Sequence, residues 1–231
     1  MLSRRGEAQV NPTLLRKAAA EALGTALLVA AVVGSGIMAE RLAPAAPALA
    51  LLCNTLATGA ALVALIATFG PVSGAHFNPA VSLAEALSGR LATADLAAFA
   101  AAQVLGGVAG TWLAHAMFAE PILTVSTHIR VVPGALVSEA VATFGLLAVV
   151  LNVGQRSPRD APFAVAAYIT AAYWFTASTS FANPAVTLAR ALTHTYAGIR
   201  PADVLPFIGA QLAGALAATL VFRWLRMPKE S

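Results

Sequence analysis

Apolar residues along this chain come in long blocks, and the charged residues fall mostly between them. The blocks run roughly over 14–38, 48–69, 96–118, 135–153, 163–175 and 204–224. Most approach the ~20 residues that a helix needs to cross a hydrocarbon core. The block at 163–175 is short on its own, and the apolar and hydroxyl residues through Phe181 extend it. Six membrane-crossing helices are predicted.

Two apolar stretches of about ten residues lie outside this set, and each could cover only about half a bilayer as a helix. Each opens with Asn-Pro-Ala, at Asn78, Pro79 and Ala80 and at Asn183, Pro184 and Ala185. Asn is a good N-cap, and Pro at the first helical position has no amide hydrogen to leave unpaired. Two half-helices are therefore predicted, with their N-termini inside the membrane. The non-helical backbone leading into them, at 71–76 and 176–182, must be buried in protein or line water. A third Asn-Pro pair, at Asn11 and Pro12, reads only as a helix start at the membrane surface.

The half-helices belong to an internal repeat. The ten residues from Asn78 to Leu87 and the ten from Asn183 to Leu192 are identical at eight positions. A glutamate sits early in the first helix of each half, at Glu21 and Glu139. An Ala-Gln pair opens the last helix of each half, ending in Gln103 and Gln211. Each half has three crossings. Three is odd, so the halves enter from opposite faces and are inverted about an axis in the membrane plane, an architecture that places sites at the midplane. The expected organisation is one transmembrane domain over 1–231, with repeats at about 12–118 and 135–226 and the 119–134 segment joining them outside the cell.

Composition excludes a soluble protein. Hydrophobic residues make up 59% and charged residues 10%, against about 25% charged in soluble domains. The net charge of +4 is placed by topology. Arg4, Arg5, Arg16, Lys17, Arg90, Arg156, Arg159, Arg223, Arg226 and Lys229 fall on one side, and Arg41, Arg130, Arg190 and Arg200 towards the other. The positive-inside rule then puts both termini in the cytoplasm. Nucleic-acid binding is excluded, since no basic stripe carries interleaved aromatics. Cys53 stands alone and is expected to be a small buried hydrophobe. No cleavable signal is expected. The excess of Arg over Lys and the abundant Ala suggest a GC-rich bacterial genome, hence a cytoplasmic (inner) membrane.

The two tripeptides in inverted halves, with their Glu and Gln flanks, resemble the aquaporin (major intrinsic protein) family. The match covers about Ala20 to Trp224. The resemblance implies an all-α membrane protein with six transmembrane helices, two re-entrant half-helices and an inverted 3+3 repeat. It implies a passive channel for small neutral solutes, no enzymatic activity, no cofactor and no metal, and a homotetramer with one pore per subunit. It implies that Asn78 and Asn183 donate hydrogen bonds to the passing solute. Half-helix dipoles meeting at the midplane disfavour cations there. Glu21 and Glu139 are ionisable groups inside the bilayer. They read either as proton relays or, preferably, as acceptors for the re-entrant loops. Gln103 and Gln211 read as cross-helix partners. His76 resembles the family's loop histidine near the cytoplasmic mouth, with a purely structural role still open. His115, His128 and His194 have no metal-ligand spacing.

One position departs from the family. The arginine usual after the second tripeptide is replaced by Val186. Counting back from the tripeptides puts the other constriction positions at Thr58, Ala171 and Ser180. This set is small and uncharged, so a wider and less polar pore is expected. Polyols, urea-like molecules and metalloid hydroxides suit it as well as water. The set also resembles that of bacterial members associated with arsenic resistance, which makes arsenite or methylated arsenicals the favoured special substrate. Arg190 lies four residues beyond Val186 on the same helical face. It reads either as a displaced pore-mouth arginine or as a residue that reaches the surface or binds loop carbonyls. Glu85 holds the matching place on the other half-helix. Asn54, one turn from Thr58, is expected at the outer mouth. A proton-coupled carrier and a junction or scaffold protein with a vestigial pore are the competing readings.

Overall fold

The computed structural model describes residues 13–226. Arg4, Arg5, Lys229 and the Asn11-Pro12 pair lie outside the described residues. Eight α-helices follow one another: α1 Leu14–Leu42, α2 Pro47–Ser73, α3 Pro79–Leu87, α4 Thr93–Phe118, α5 Ala135–Arg156, α6 Ala161–Phe175, α7 Pro184–Arg190 and α8 Pro201–Leu225. The two halves share the order long, long, half, long. In the first half α1 packs on α2 and α4, and in the second half α5 packs on α6 and α8. Contacts of α2 with α6 and of α4 with α7 join the halves.

Small residues allow the long helices to approach. A Cβ on Gly106 would run into the Ala22 carbonyl, and one on Gly214 into the Ala140 carbonyl. These sites correspond in the repeat, three residues after Gln103 and Gln211 and one after Glu21 and Glu139. Within lipid, helix association relies on such close packing rather than on a hydrophobic driving force. Large apolar side chains such as Leu105, Leu205 and Leu220 are exposed on the outer faces of α4 and α8, as a lipid-facing surface requires.

Three local readings of the sequence are corrected. The helix of the short fifth block, α6, spans only 15 residues and stops at Phe175. Thr176 is extended, and 176–182 form the loop into α7 rather than a continuation of the crossing. At ~1.5 Å per residue α6 is about 22 Å long, the shortest of the six. Conversely, α2 runs on to Ser73, so Pro71, Val72 and Ser73 are helical and the first lead-in loop begins at Gly74, a left-handed C-cap. The second half-helix has 7 residues instead of the expected ten or so. Its end tightens into short-range turns, with Ala191 N donating to Leu188 O and Leu192 N to Ala189 O, both at 3.1 Å. The chain then folds back, and Ile199 N donates to Arg190 O at 3.2 Å.

Candidate functional site

The half-helices meet N-terminus to N-terminus in the centre of the bundle. Asn78 caps α3 by accepting from Ala80 N at 2.9 Å. Asn183 caps α7 by accepting from Ala185 N at 3.0 Å and Val186 N at 3.2 Å. The side-chain amides then cross over. Asn78 Nδ2 donates to Ala182 O at 2.7 Å, and Asn183 Nδ2 donates to Phe77 O at 2.8 Å. Each amide therefore holds the carbonyl that precedes the other asparagine. This exchange fixes both side chains while leaving the second amide hydrogen of each free.

The loops that deliver these asparagines are strained in the same way. Ala75 and Phe77 in one, and Ser180 and Ala182 in the other, have φ between 48° and 51°. Left-handed backbone at non-glycine residues costs roughly 1–2 kcal/mol each. Two buried carboxylates hold it. Glu21 accepts from His76 N, Phe77 N, the Ser73 hydroxyl and Gln103 Nε2, at 2.6–3.0 Å. Glu139 accepts from Phe181 N and Ala182 N, both at 2.9 Å, and from Gln211 Nε2 at 2.6 Å. The glutamines complete each circuit: Gln103 donates to Ser82 Oγ and Gln211 to Thr187 Oγ1, both at 2.9 Å. A buried carboxylate is tolerated when several donors face it. Both carboxylates are fully buried behind the loops, and neither borders the cavity described next.

One cavity of about 930 Å³ runs past both asparagines from end to end. One of its ends lies near Arg90 and Arg159. The other lies near Arg190, beneath the 119–134 linker, where Ser126 N donates to Ala191 O and Arg200 N to His128 O. One wall is apolar, with Leu28, Val32, Leu62, Leu146, Val165 and Ile169. The other carries Asn78, Asn183 and the loop residues. Pro79, Ala80, Pro184 and Ala185 do not line the cavity; the two alanines are fully buried behind the asparagines.

At the linker end Thr58, Ser180 and Val186 line the cavity, as does Tyr173. Ala171 does not: it sits on the exposed face of α6. Two residues along a helix is a rotation of about 200°, so the register set by the loop at 176–182 turns Ala171 to the outside and Tyr173 inward. Tyr173 donates to Thr58 Oγ1 at 3.3 Å. The cavity lining at this end is thus bulkier than the sequence count implied. Asn54 is also corrected. It is buried between α1 and α2, where Nδ2 donates to Val32 O at 2.7 Å and Ser35 Oγ at 2.9 Å, and it does not line the cavity. Cys53, expected to be buried, is exposed.

At the basic end His76 and Glu85 line the cavity. His76 Nδ1 lies 3.0 Å from Ser82 Oγ, and its ring lies against Phe99 at 5.4 Å. Glu85 is paired with Arg90 through both carboxylate oxygens. Arg190 is buried at the linker end, with Nε bonded to Ala197 O and its guanidinium 3.4 Å from the centroid of Phe181. Phe181 and Tyr173 are among the lining residues that the sequence reading missed. Phe181 had a signal: it stands two places before Asn183, as His76 stands two places before Asn78.

The comparisons with known proteins agree with this architecture. The profile of the family described as Major intrinsic protein matches residues 8–167. The chain belongs to the major intrinsic protein family. Among curated relatives of this major intrinsic protein is Aquaglyceroporin AqpS of Rhizobium meliloti (strain 1021), 60% identical over 93% of this chain and 92% of that protein. Aquaporin A of Dictyostelium discoideum is 33% identical, covering 89% of this chain and 76% of its own length. The X-ray structure of the aquaglyceroporin from Plasmodium falciparum superposes with a TM-score of 0.65 at 20% identity, over 91% of this chain and 96% of that one. At that identity the likeness speaks for the fold. The chain is an integral membrane protein of a channel family, not an enzyme.

Proposed function

We propose that this protein is a passive channel conducting water and glycerol-sized neutral solutes across the membrane. The observation that carries the reading is the reciprocal hold of Asn78 on Ala182 O and Asn183 on Phe77 O within one cavity. A hydroxylic solute accepts a hydrogen bond from the free amide hydrogen of each asparagine, while its carbon side slides along the apolar wall. At the asparagines a cation meets N–H donors rather than acceptors, together with the partial positive ends of two helices. Names also support the reading, since the 60% identical relative is an aquaglyceroporin. The carrier alternative has no such support, because Glu21 and Glu139 are turned to loop amides and away from the cavity.

The constriction is assigned to Thr58, Tyr173, Ser180 and Val186, with His76 at the opposite mouth. The missing arginine at Val186 suits solutes with an apolar flank, and arsenite or methylated arsenicals remain the favoured special substrate. The distribution of basic residues supports a cytoplasmic Arg90 end and cytoplasmic termini; the linker end is called outer from here on. The cytoplasmic membrane of a bacterium is the expected location, and a homotetramer the expected assembly. Stopped-flow light scattering on proteoliposomes, comparing water, glycerol, urea and arsenite, tests the proposal. Water and glycerol should both equilibrate faster than in protein-free vesicles, without saturation or dependence on a proton gradient. Equal rates with and without protein would remove the channel reading.

A further inference from the structure

We propose that the inner mouth of the pore is an oxyanion-binding site, in which Arg90 and Arg159 hold a doubly charged, phosphate-type anion that obstructs conduction while bound. The obstruction rests on the channel reading above; the binding does not.

Two arginines line this end of the cavity, one from each half of the repeat. Arg90 follows α3, and Arg159 lies in the turn between α5 and α6. The positive-inside bias accounts for basic residues on this side of the membrane. It does not require any of them to face the bore. Arg90 lays Nε and Nη2 on Glu85, which spends both carboxylate oxygens on that pair. The Nη1 group of Arg90 has no protein acceptor among the described residues. Arg159 is exposed and makes no ion pair among the described residues. The carboxylate next to it in the chain, Asp160, is exposed and does not line the cavity. Gln155 does line it. Its Oε1 accepts from Arg226 Nη1 at 2.7 Å, which leaves Nε2 to donate.

The positive field extends behind this lining. Arg226 is fixed on the end of α5 by Leu151 O and Asn152 Oδ1. Burial, and then the guanidiniums of Arg90 and Arg156, hold Arg226 below the usual arginine range, with Glu85 opposing them. Like charges therefore crowd one rim of the mouth.

The free groups decide what fits. Guanidinium nitrogens and an amide nitrogen are donors only. They suit a ligand that only accepts, and the planar guanidinium matches a phosphate edge with two parallel bonds. A polyol would leave its hydroxyl hydrogens unmatched by these groups. A cleft lined by one sign of charge also concentrates counter-ions. Further in, the wall of Leu28, Val32 and Leu62 is apolar, and a doubly charged ion would lose hydration there without replacement. The anion therefore stops at the mouth, where neutral solutes must pass it.

The test uses the full chain in phosphatidylcholine proteoliposomes. Water flux is measured by stopped-flow light scattering in inorganic phosphate and in chloride, at equal ionic strength and osmolality. Flux should fall as phosphate rises on both faces; equal flux in the two salts overturns the proposal. Arg159→Gln should raise the half-inhibiting phosphate concentration about tenfold, the factor of one charge-assisted hydrogen bond. A value within about twofold of the parent overturns the site. Arg159 is exposed, so this variant should fold. Glu85→Gln frees Arg90 and should lower the half-inhibiting concentration; an unchanged or higher value removes Arg90 and overturns the site. Vesicles containing phosphatidylglycerol identify a lipid headgroup as the source. Flux already reduced in chloride, restored by Arg159→Gln and insensitive to free phosphate overturns the soluble-anion reading. A parent that conducts no water in chloride overturns the channel reading instead. Isothermal titration of inorganic phosphate into the detergent-solubilised parent and Arg159→Gln then decides the site, and equal affinities overturn it.

Discussion

At the inner end of the pore His76 and Glu85 face the cavity; at the outer end the same repeat positions hold Phe181 and Arg190. The scaffolding behind them is nearly superposable in its chemistry. His76 lies on Phe99 and Phe181 on Phe207, each four residues before the glutamine of its half. Ser82 and Thr187, each four beyond the asparagine, take the same glutamine bond. What differs is what projects into the bore. The inner end is polar, with Glu85 paired to Arg90 and Arg159 also lining the cavity there. The outer end is an aromatic face bearing a cation that has no carboxylate partner among the described residues. The inverted repeat thus supplies a symmetric frame, and two substitutions per end make it directional in character. The lesson is that symmetry fixes where side chains stand, while their chemistry is free to diverge.

The frame should be far less tolerant than the lining. Glu21→Ala would leave His76 N and Phe77 N without acceptors in a buried, strained loop, and Glu139→Ala would do the same to Phe181 N and Ala182 N. Each should lose about 3 kcal/mol or more of stability. Thermal unfolding in detergent should show both variants melting well below the parent; a Tm unchanged in either would contradict the bracing role. Gly106→Val and Gly214→Val test the frame at the helix crossings. Overpacking against Ala22 or Ala140 should remove roughly 1–3 kcal/mol, by a similar amount in both halves. A large loss in one and none in the other would break the symmetric account.

Changes to the lining should alter selectivity instead. Val186→Arg places a second guanidinium one turn from Arg190 and narrows the outer constriction. Glycerol flux should fall roughly tenfold, a barrier change of about 1.4 kcal/mol, with water flux reduced much less. Equal reductions would mean that Val186 does not set the width. The smallest effect is expected at the inner mouth. The Glu85–Arg90 pair is partly exposed, with side chains 12% and 31% accessible, and such pairs contribute under about 1 kcal/mol. Glu85→Gln should change water flux by less than about twofold, and any change should shrink at high salt. A larger, salt-independent effect would make the inner end a second selective site.

Much of this was readable before any coordinates. Apolar blocks of bilayer length, two Asn-Pro starts and the paired Glu and Gln residues are local or repeated signals, and the fold follows from them. The misreadings share a physical cause. Counting back from the second tripeptide points to Ala171, but the loop at 176–182 determines the rotational phase of α6, and two residues turn the helix almost to its other face. Asn54 lies one turn from Thr58, yet a carbonyl and a hydroxyl on α1 capture its amide. Neither partner is identifiable from spacing along α2.

The chain alone determined that this protein spans a membrane, that its halves are inverted, and which asparagines cap the half-helices, because hydropathy, parity and capping are properties of short segments. Tertiary structure decided which side chains face the bore and which brace it. The crossed amide bonds, the carboxylates beneath the loops, the inward turn of Tyr173 and the seat of Arg190 on Phe181 all join residues from different elements. Helix phase, loop conformation and competing hydrogen-bond partners set those meetings, and none of these is written in the spacing of any single segment.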